Sequence, residues 1–392
     1  MKNNSYSLSY IRVLYAMWLV RTVLSYLLTY RKSLLIADQK EYIASITGLI
    51  LNVVSYLAII LLVTWEQNYL LALGIGTVTE VVLNIWISWY VEQKYPFLRQ
   101  RRKEKSTSSL TKRIVRDLKS LFISRISEKM LYCTDNLIIS GFIGVGTVGR
   151  YANYCMITQA ISNILTILAN TIQPTVGDYF TEKNRQRNYE ILRQLTFGFF
   201  CIASVVSVGL FSLITPFVRD IWLGPSYELG WGITVFCIVV LLVRIMGLPL
   251  SLVMGVTGLF EKEKNVGASS ALLNLIVSLA LVKPYGMAGV LLGTLLSYLL
   301  QILYRYIIYF RDFLEMPGEA LRYAQDIGEY LAVIAGEVLL MQKIVPLIYG
   351  AGGMLLFCVC FLLCIAIPLL LDLVIFGRGW RLQSIVTMVK GM

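Results

Sequence analysis

The amino-acid sequence predicts an all-α polytopic membrane protein with about eleven transmembrane helices. Of its 392 residues, 57% are hydrophobic and only 15% are charged, a balance that is not typical of a soluble domain. The apolar residues lie in stretches of about 20 residues or more, which is the length that a helix needs to cross a bilayer. The predicted spans are 9–29, 43–64, 69–91, 118–142, 151–177, 192–217, 231–254, 265–283, 287–309, 327–348 and 354–376.

Lysine and arginine residues are concentrated in every second loop between these spans. Cytoplasmic loops of membrane proteins retain positive charge, so these loops are predicted to be cytoplasmic. The N-terminus is then outside, the C-terminus is inside, and the net charge of +12 mostly reflects this bias. We expect contact with anionic lipid at the cytoplasmic face, and no nucleic-acid partner. The basic loop residues include Arg31, Lys32, Lys40, those within 94–116, Lys183, Arg185, Arg187, Arg193, Lys262, Lys264, Arg305, Arg311, Arg322, Arg378, Arg381 and Lys390.

A weak internal repeat indicates how the spans are organised. The sequence Leu51-Asn52-Val53-Val54, followed by Gly76-Thr77, returns as Leu273-Asn274-Leu275-Ile276, followed by Gly293-Thr294. The copies lie six predicted spans apart, so both have the same orientation, as in a parallel repeat about an axis along the membrane normal. The alternative is that these short patterns recur by chance in apolar sequence.

If the repeat is genuine, the chain has two lobes, and the first lobe is expected to lack three spans at its start. The predicted organisation has four parts. Residues 1–92 form the second half of an N-terminal helical lobe, 93–117 a basic cytoplasmic loop between lobes, 118–311 a six-helix lobe, and 312–392 an accessory helix pair with a cytoplasmic tail.

The residue types that most often perform catalysis or bind metal are scarce. The chain has no histidine, and its seven cysteines lie within or beside apolar spans without metal or redox spacing. We therefore predict no metal site, no cofactor and no enzymatic activity.

Polar side chains within the spans are the main functional signal, because such groups are costly in a membrane and usually face a cavity or a partner. In the fourth span Arg125, Glu128, Tyr132 and Asp135 share one helix face. Arg125 has two further interpretations, a local ion pair with Glu128 or a position near the cytoplasmic interface.

The fifth span carries a longer polar stripe. The stripe favours the wall of a wet cavity, and the alternative is hydrogen bonding between helices. It consists of Gln159, Asn163, Thr166, Asn170 and Gln173.

Four further charged residues lie within spans, and two of them are related by the repeat. Arg21 and Arg244 belong to the counterpart spans one and seven, and two arginines lining one cavity would suit a diphosphate group. Glu80 is a candidate for ion coupling, for the lining of a lumen or for pairing with Arg21. Glu337 is a second candidate for ion coupling. Asp135 is a third, unless it caps a helix turn.

Two segments resemble bacterial polysaccharide flippases. The first is Tyr30-Arg31-Lys32-Ser33-Leu34-Leu35-Ile36-Ala37-Asp38-Gln39-Lys40-Glu41-Tyr42, which resembles a cytoplasmic loop of these proteins. The second is Thr134-Asp135-Asn136-Leu137-Ile138-Ile139-Ser140-Gly141-Phe142-Ile143-Gly144, followed by Val148-Gly149-Arg150-Tyr151-Ala152-Asn153-Tyr154. The resemblance covers nearly the whole chain. It is to the polysaccharide transporter branch of the multidrug/oligosaccharidyl-lipid/polysaccharide flippase superfamily.

The resemblance implies two six-helix lobes around a central cavity, and alternating access in the cytoplasmic membrane. The implied substrate is undecaprenyl-diphosphate-linked oligosaccharide for capsule, exopolysaccharide or O-antigen-type polymers, with other polysaccharide assembly proteins as partners. On this alignment the chain begins near the fourth span of the family. The amides Gln159, Asn163, Asn170 and Gln173 would bind sugar hydroxyls, and Arg21, Arg125 and Arg244 would bind the diphosphate.

Three other functions are kept as alternatives. A drug or cation antiporter of the same superfamily would have a smaller cavity with an acidic centre, for which Glu80, Asp135 and Glu337 are available. A membrane-embedded polysaccharide polymerase or acyltransferase would be expected to carry a large outer loop or a histidine-containing site. A truncated, non-transporting remnant is the third alternative.

Overall fold

The computed structural model describes residues 7–26, 29–38, 40–66, 68–99, 122, 133–180, 184–350 and 352–377. These residues form helices, turns and short connections and contain no strand, so the predicted all-α class is confirmed. Ten helices of the described part are long and apolar enough to cross a membrane. The predicted span 118–142 lies largely outside the described residues.

The chain divides into two compact units, residues 1–107 and 108–392, and each is described by itself. The first unit contains α1 (Leu8–Tyr26), α2 (Thr29–Ala37), α3 (Glu41–Glu66) and α4 (Tyr69–Lys94). The second contains α5, described over 133–142, and α6 (Val145–Tyr179), α7 (Arg185–Pro216), α8 (Trp231–Val256), α9 (Phe260–Tyr285), α10 (Met287–Ile308), α11 (Pro317–Tyr349) and α12 (Met354–Phe376).

Several helices begin at residues that satisfy the free backbone N–H groups of the first turn. Asn68 accepts hydrogen bonds from the backbone N–H groups of Leu70 and Leu71 at the start of α4. Asn184 accepts one from the backbone N–H of Arg187 at the start of α7. Asparagine is among the preferred residues at this position, so the sequence sets where both helices begin.

The two copies of the repeat have the same pattern of helix packing. In the first unit α4 packs against both α1 and α3, and in the second unit α10 packs against both α8 and α9. The third helix of each copy therefore contacts the first and the second. This is the packing that the repeat predicts. The last two helices, α11 and α12, both pack on α7.

Small residues bring α9 and α10 close together. Gly286 separates the two helices with a φ of 58°, a conformation that side chains disfavour. A β-carbon at Gly289 would overlap the backbone carbonyl of Leu281, and one at Gly293 would lie 3.1 Å from the carbonyl oxygen of Asn274. The pair is thus a tight hairpin whose polar side chains can reach across the contact.

Substituting Gly289 by alanine should destabilise this hairpin. The added methyl group meets backbone atoms of Leu281, including its carbonyl carbon at 2.6 Å, and these cannot rotate away. Overpacking of this kind costs about 1–3 kcal/mol. Thermal unfolding in detergent, followed by size-exclusion chromatography, measures the change. Gly198→Ala in α7 is the matched control, because no atom lies within 4 Å of its added β-carbon. Equal thermal stability of the two variants would contradict the expected clash.

Candidate functional site

The polar centre of the second unit is a cluster in which α5, α9 and α10 meet. The carboxylate of Asp135 on α5 is only 4% exposed. It accepts a hydrogen bond of 2.6 Å from the hydroxyl of Thr294 and one of 3.4 Å from the side-chain amide of Asn274. The same amide also donates to the Thr294 oxygen at 2.9 Å, and the hydroxyl of Thr134 donates to the Asn274 oxygen at 3.2 Å. These four side chains form one connected network.

This network corrects one interpretation of Asp135. The sequence left open that its side chain caps a helix turn, but its hydrogen-bond donors are side chains of α9 and α10. The Asp135 carboxylate therefore joins three helices. The cluster also offers carboxylate, hydroxyl and amide oxygens together, the ligand types that hard cations prefer.

The repeat explains why the cluster forms at this place. Asn274 and Thr294 are the polar residues of the second copy, and the absence of a side chain at Gly293 lets α9 and α10 approach. Further hydroxyl groups join the two helices. Ser278 donates to the carbonyl of Val290 at 3.2 Å, and Ser297 donates to the carbonyl of Ser270 at 2.9 Å.

A cavity of about 330 Å³ adjoins the cluster. It brings together three residues that the sequence singled out separately, Asp135, Gln159 and Arg244. The lining is mixed, with apolar side chains beside carboxylate, amide, hydroxyl and guanidinium groups. It consists of Cys133, Asp135, Asn136, Tyr151, Ala152, Cys155, Met156, Thr158, Gln159, Cys237, Val240, Leu241, Arg244, Leu291, Thr294 and Tyr298.

Arg244 supplies the positive charge of this cavity. Its guanidinium carbon lies 5.4 Å from the centre of the Tyr298 ring, a distance at which the ring face attracts the cation. The contact holds a half-buried arginine against α10. Because a guanidinium is planar and remains charged, it can bind a phosphate group through two parallel hydrogen bonds.

The polar stripe of α6 is distributed over different surroundings. Gln159 lines the cavity, the side chains of Asn163 and Asn170 are exposed, and Gln173 lies against Gly255 of α8. None of these four amides hydrogen-bonds to another described residue through its side chain. The alternative that the stripe joins helices by hydrogen bonds thus has no support among the described residues.

In the first unit, Arg21 and Glu80 are partners. Their side-chain atoms lie 3.7 Å apart between α1 and α4, and each side chain is about one third exposed. The Arg21 guanidinium also rests on Gly76, the glycine of the first repeat copy, where a β-carbon would lie 2.7 Å from it. Of the three interpretations of Glu80, pairing with Arg21 is the one that the geometry supports.

The flippase-like loop of the first unit is tied to α4. Arg31 forms an ion pair of 2.6 Å with Glu92, and Asp38 accepts hydrogen bonds from Lys40 and, at 2.6 Å, from the hydroxyl of Tyr95. The Lys40 and Tyr95 hydrogen bonds lower the pKa of the Asp38 carboxyl below its usual value. The carboxylate consequently keeps its charge, and these contacts, throughout the neutral range.

Two other candidate residues lie elsewhere. Glu337 is buried between α7 and α11 and accepts a hydrogen bond of 2.5 Å from Ser204. Arg125 lies outside the described residues. Since the two units are described separately, the placement of Arg21 and Arg244 in one cavity stays a prediction.

Sequence reasoning missed some residues of the polar network. Asn274 and Thr294 were visible as repeat residues but not as partners of Asp135, which lies 139 and 159 positions away in the chain. Tyr298 carried no signal, because an aromatic residue in an apolar span is ordinary. The recurrence of Asn and Thr in both copies was the one feature that could have identified the network.

Comparison with known proteins gives one family match. Residues 3–180 match the family model described as polysaccharide biosynthesis protein. The matched segment includes α1 to α4, α5 with Asp135, and α6 with its polar stripe. No curated protein matches the chain.

Proposed function

Because residues 3–180 belong to the polysaccharide biosynthesis protein family, the family of polysaccharide flippases, we propose that this multi-pass membrane protein is a lipid-linked oligosaccharide flippase. Its substrate would be undecaprenyl-diphosphate-linked oligosaccharide, moved across the cytoplasmic membrane by alternating access for export of a surface polymer. The C-terminus would be cytoplasmic, and the basic residues within 94–116 would contact anionic lipid.

The observation that carries this proposal is the cavity of the second unit. It combines a cation, Arg244, with an amide, Gln159, beside the buried carboxylate Asp135. The guanidinium suits a diphosphate, and the amide both donates and accepts hydrogen bonds, as sugar hydroxyls require. The exposed amides Asn163 and Asn170 extend the polar surface of α6. The polyprenyl chain stays in lipid, and no covalent step is needed.

Asp135 has a separate role in this proposal. Its carboxylate would bind the coupling proton or cation, because it contacts both α9 and α10 through side-chain hydrogen bonds. Binding at this carboxylate would change its contacts with Thr294 and Asn274 and so alter the packing of α5 on the hairpin. A coupling ion could thereby favour one of two arrangements of the lobe.

The cavity also bears on the alternatives. A cation antiporter needs an acidic centre, but the Asp135 carboxylate already accepts two hydrogen bonds, and the guanidinium of Arg244 in the same cavity repels a cationic substrate. A polymerase or acyltransferase would need a catalytic base, and the chain has no histidine. The flippase is therefore the better supported function.

Reconstitution of the purified protein tests the proposal. Proteoliposomes would contain undecaprenyl-diphosphate-linked oligosaccharide with a fluorophore on the sugar, and a membrane-impermeant quencher would be added outside. A flippase makes sugars of the inner leaflet accessible to the quencher. Quenching no greater than in protein-free liposomes would contradict the proposal. Extrusion of a cationic dye without movement of the labelled sugar would favour the antiporter.

In this assay Gln159→Ala should slow transport by roughly 2- to 10-fold, because one neutral hydrogen bond contributes about 0.5–1.5 kcal/mol. Gln186→Ala is the matched control, since Gln186 is exposed on α7 and its amide lies 3.4 Å from Glu190 of the same helix. An equal effect of both substitutions would argue against a role for Gln159 in the cavity.

A further inference from the structure

A second polar centre lies between α7, α11 and α12, apart from the cavity at Asp135. It contains Glu337 of α11, Asp372 of α12 and Ser204 of α7. Both carboxylates are 3% exposed, and they interact electrostatically with each other. The Ser204 hydroxyl donates to one oxygen of Glu337 at 2.5 Å. Two acidic side chains are thus brought together inside a bundle of membrane-spanning helices.

The carboxylates are incompletely satisfied. The second oxygen of Glu337 and both oxygens of Asp372 are buried and have no hydrogen-bond donor among the described residues. An ionised carboxylate without donors or a counter-ion is strongly disfavoured at such a position. Two of them side by side add mutual repulsion, so something positive must be shared between the pair.

Apolar side chains close the centre on both sides along the helices. One turn away in one direction, the ring centres of Phe200 and Tyr330 are 4.4 Å apart, and Phe376 packs edge-on against Phe200. One turn away in the other direction lie the buried residues Val208, Met341 and Pro368. The pair therefore has little access to water from either side.

No cation of the described residues neutralises the pair. On these three helices the nearest buried charge pair is Arg193 with Asp326, joined by bonds of 2.6 and 3.0 Å three turns away. That arginine is already matched by a carboxylate. The other titratable groups that face the pair are Cys201 on α7 and Tyr330 on α11, and neither carries a positive charge.

We propose that Glu337 and Asp372 form a proton-binding site that holds one proton between the two carboxyl groups. The hydroxyl of the protonated carboxyl donates to the carboxylate of the other, and Ser204 donates to Glu337. The proton comes from water, and the pair then carries one negative charge instead of two.

A proton fits this centre better than a metal ion. No group of three or more His, Cys, Asp or Glu side chains occurs in the described part of the chain. Divalent cations such as Ca²⁺ take six or more oxygen ligands, and two carboxylates with one hydroxyl offer five at most. The proton also has a mechanical consequence. Release of it would leave two repelling charges between α12 and its neighbours, so protonation stabilises the packing of α12.

Infrared difference spectroscopy tests the site without reference to transport. The full-length protein in detergent is compared at neutral and alkaline pH, where the C=O stretching band of a protonated carboxylic acid is resolved from ionised carboxylates. We expect such a band in the wild-type protein at neutral pH and its loss in the Glu337→Gln/Asp372→Asn double variant. Glu329→Gln, an exposed position on α11, is the matched control and should keep the band.

A second variant keeps the test decisive if the double variant does not fold. Ser204→Ala removes the hydrogen bond to Glu337 and should shift the frequency of the band. Absence of the band in the wild-type protein, or a band unchanged in both variants, would overturn the proposal. Loss of the band on adding sodium chloride but not choline chloride would also overturn it, because the occupant would then be a metal cation. A flippase assay could fail without affecting any of these outcomes.

Discussion

Arg244→Ala is expected to slow movement of the labelled oligosaccharide lipid by roughly 10- to 100-fold, because a hydrogen bond to a charged group contributes about 1.5–3 kcal/mol. The substitution removes the positive charge of the cavity together with the contact to Tyr298. Arg244→Lys should have an intermediate rate. It keeps a positive charge but cannot form two parallel hydrogen bonds to one phosphate group. Rates measured in proteoliposomes at saturating substrate compare the variants.

The control for Arg244 is another arginine outside the cavity. Arg322→Ala removes a side chain that is 69% exposed on α11 and bonded to Glu319, and it should transport at the wild-type rate. Arg21→Ala and Arg21→Lys test the counterpart arginine of the first unit, whose pairing with Glu80 is also lost in the alanine variant. Wild-type rates in all four Arg21 and Arg244 variants would rule out the proposed diphosphate role.

Asp135 should show two separable effects. Asp135→Ala leaves the Thr294 hydroxyl and the Asn274 amide without their acceptor, and an unsatisfied buried donor costs about 1–3 kcal/mol. We therefore expect this variant to unfold at a lower temperature. Asp135→Asn keeps the shape and one acceptor oxygen, so it should fold, but it cannot carry the charge that binds a proton or cation. Its transport rate should no longer respond to an imposed ion gradient.

The measurement for Asp135 is the transport rate with and without a proton or sodium gradient across the proteoliposome membrane. Asp178→Asn on α6 is the control, since Asp178 is exposed and outside the cavity. A wild-type response to both gradients in Asp135→Asn would show that coupling occurs elsewhere. Unchanged thermal stability in Asp135→Ala would show that the α5 contacts to α9 and α10 contribute little.

Hydropathy predicted the spans well but not the lengths of the longest helices. The sequence placed spans at 151–177 and 327–348, whereas α6 runs over Val145–Tyr179 and α11 over Pro317–Tyr349. The apolar run marks only the part of a helix that lies in lipid, and polar residues continue the helix beyond it. Helix boundaries of this kind depend on neighbouring contacts that hydropathy does not contain.

The partners of single polar residues were the least predictable part of the site. Glu337 was recognisable, because an acidic residue within a span is costly. Asp372 was not, because it lies one turn before the end of α12, where an acidic residue resembles an interfacial one. Its significance depends on Glu337 and Ser204, which come from two other helices. Similarly, the sequence contained Asn274 and Thr294, but only the folded chain joins them to Asp135.

The position of Asp372 also has a consequence for how the chain enters the membrane during synthesis. Among the described candidate spans, α12 has the highest mean hydropathy, 3.1. An Asp at the centre of a span opposes insertion by about 2.5–3.5 kcal/mol, and by less near the end of the span. The leucine, isoleucine and phenylalanine residues of α12 offset that penalty. The last helix can therefore leave the translocon for lipid on its own and find Glu337 afterwards, so assembly of the acidic pair is a late step of biogenesis.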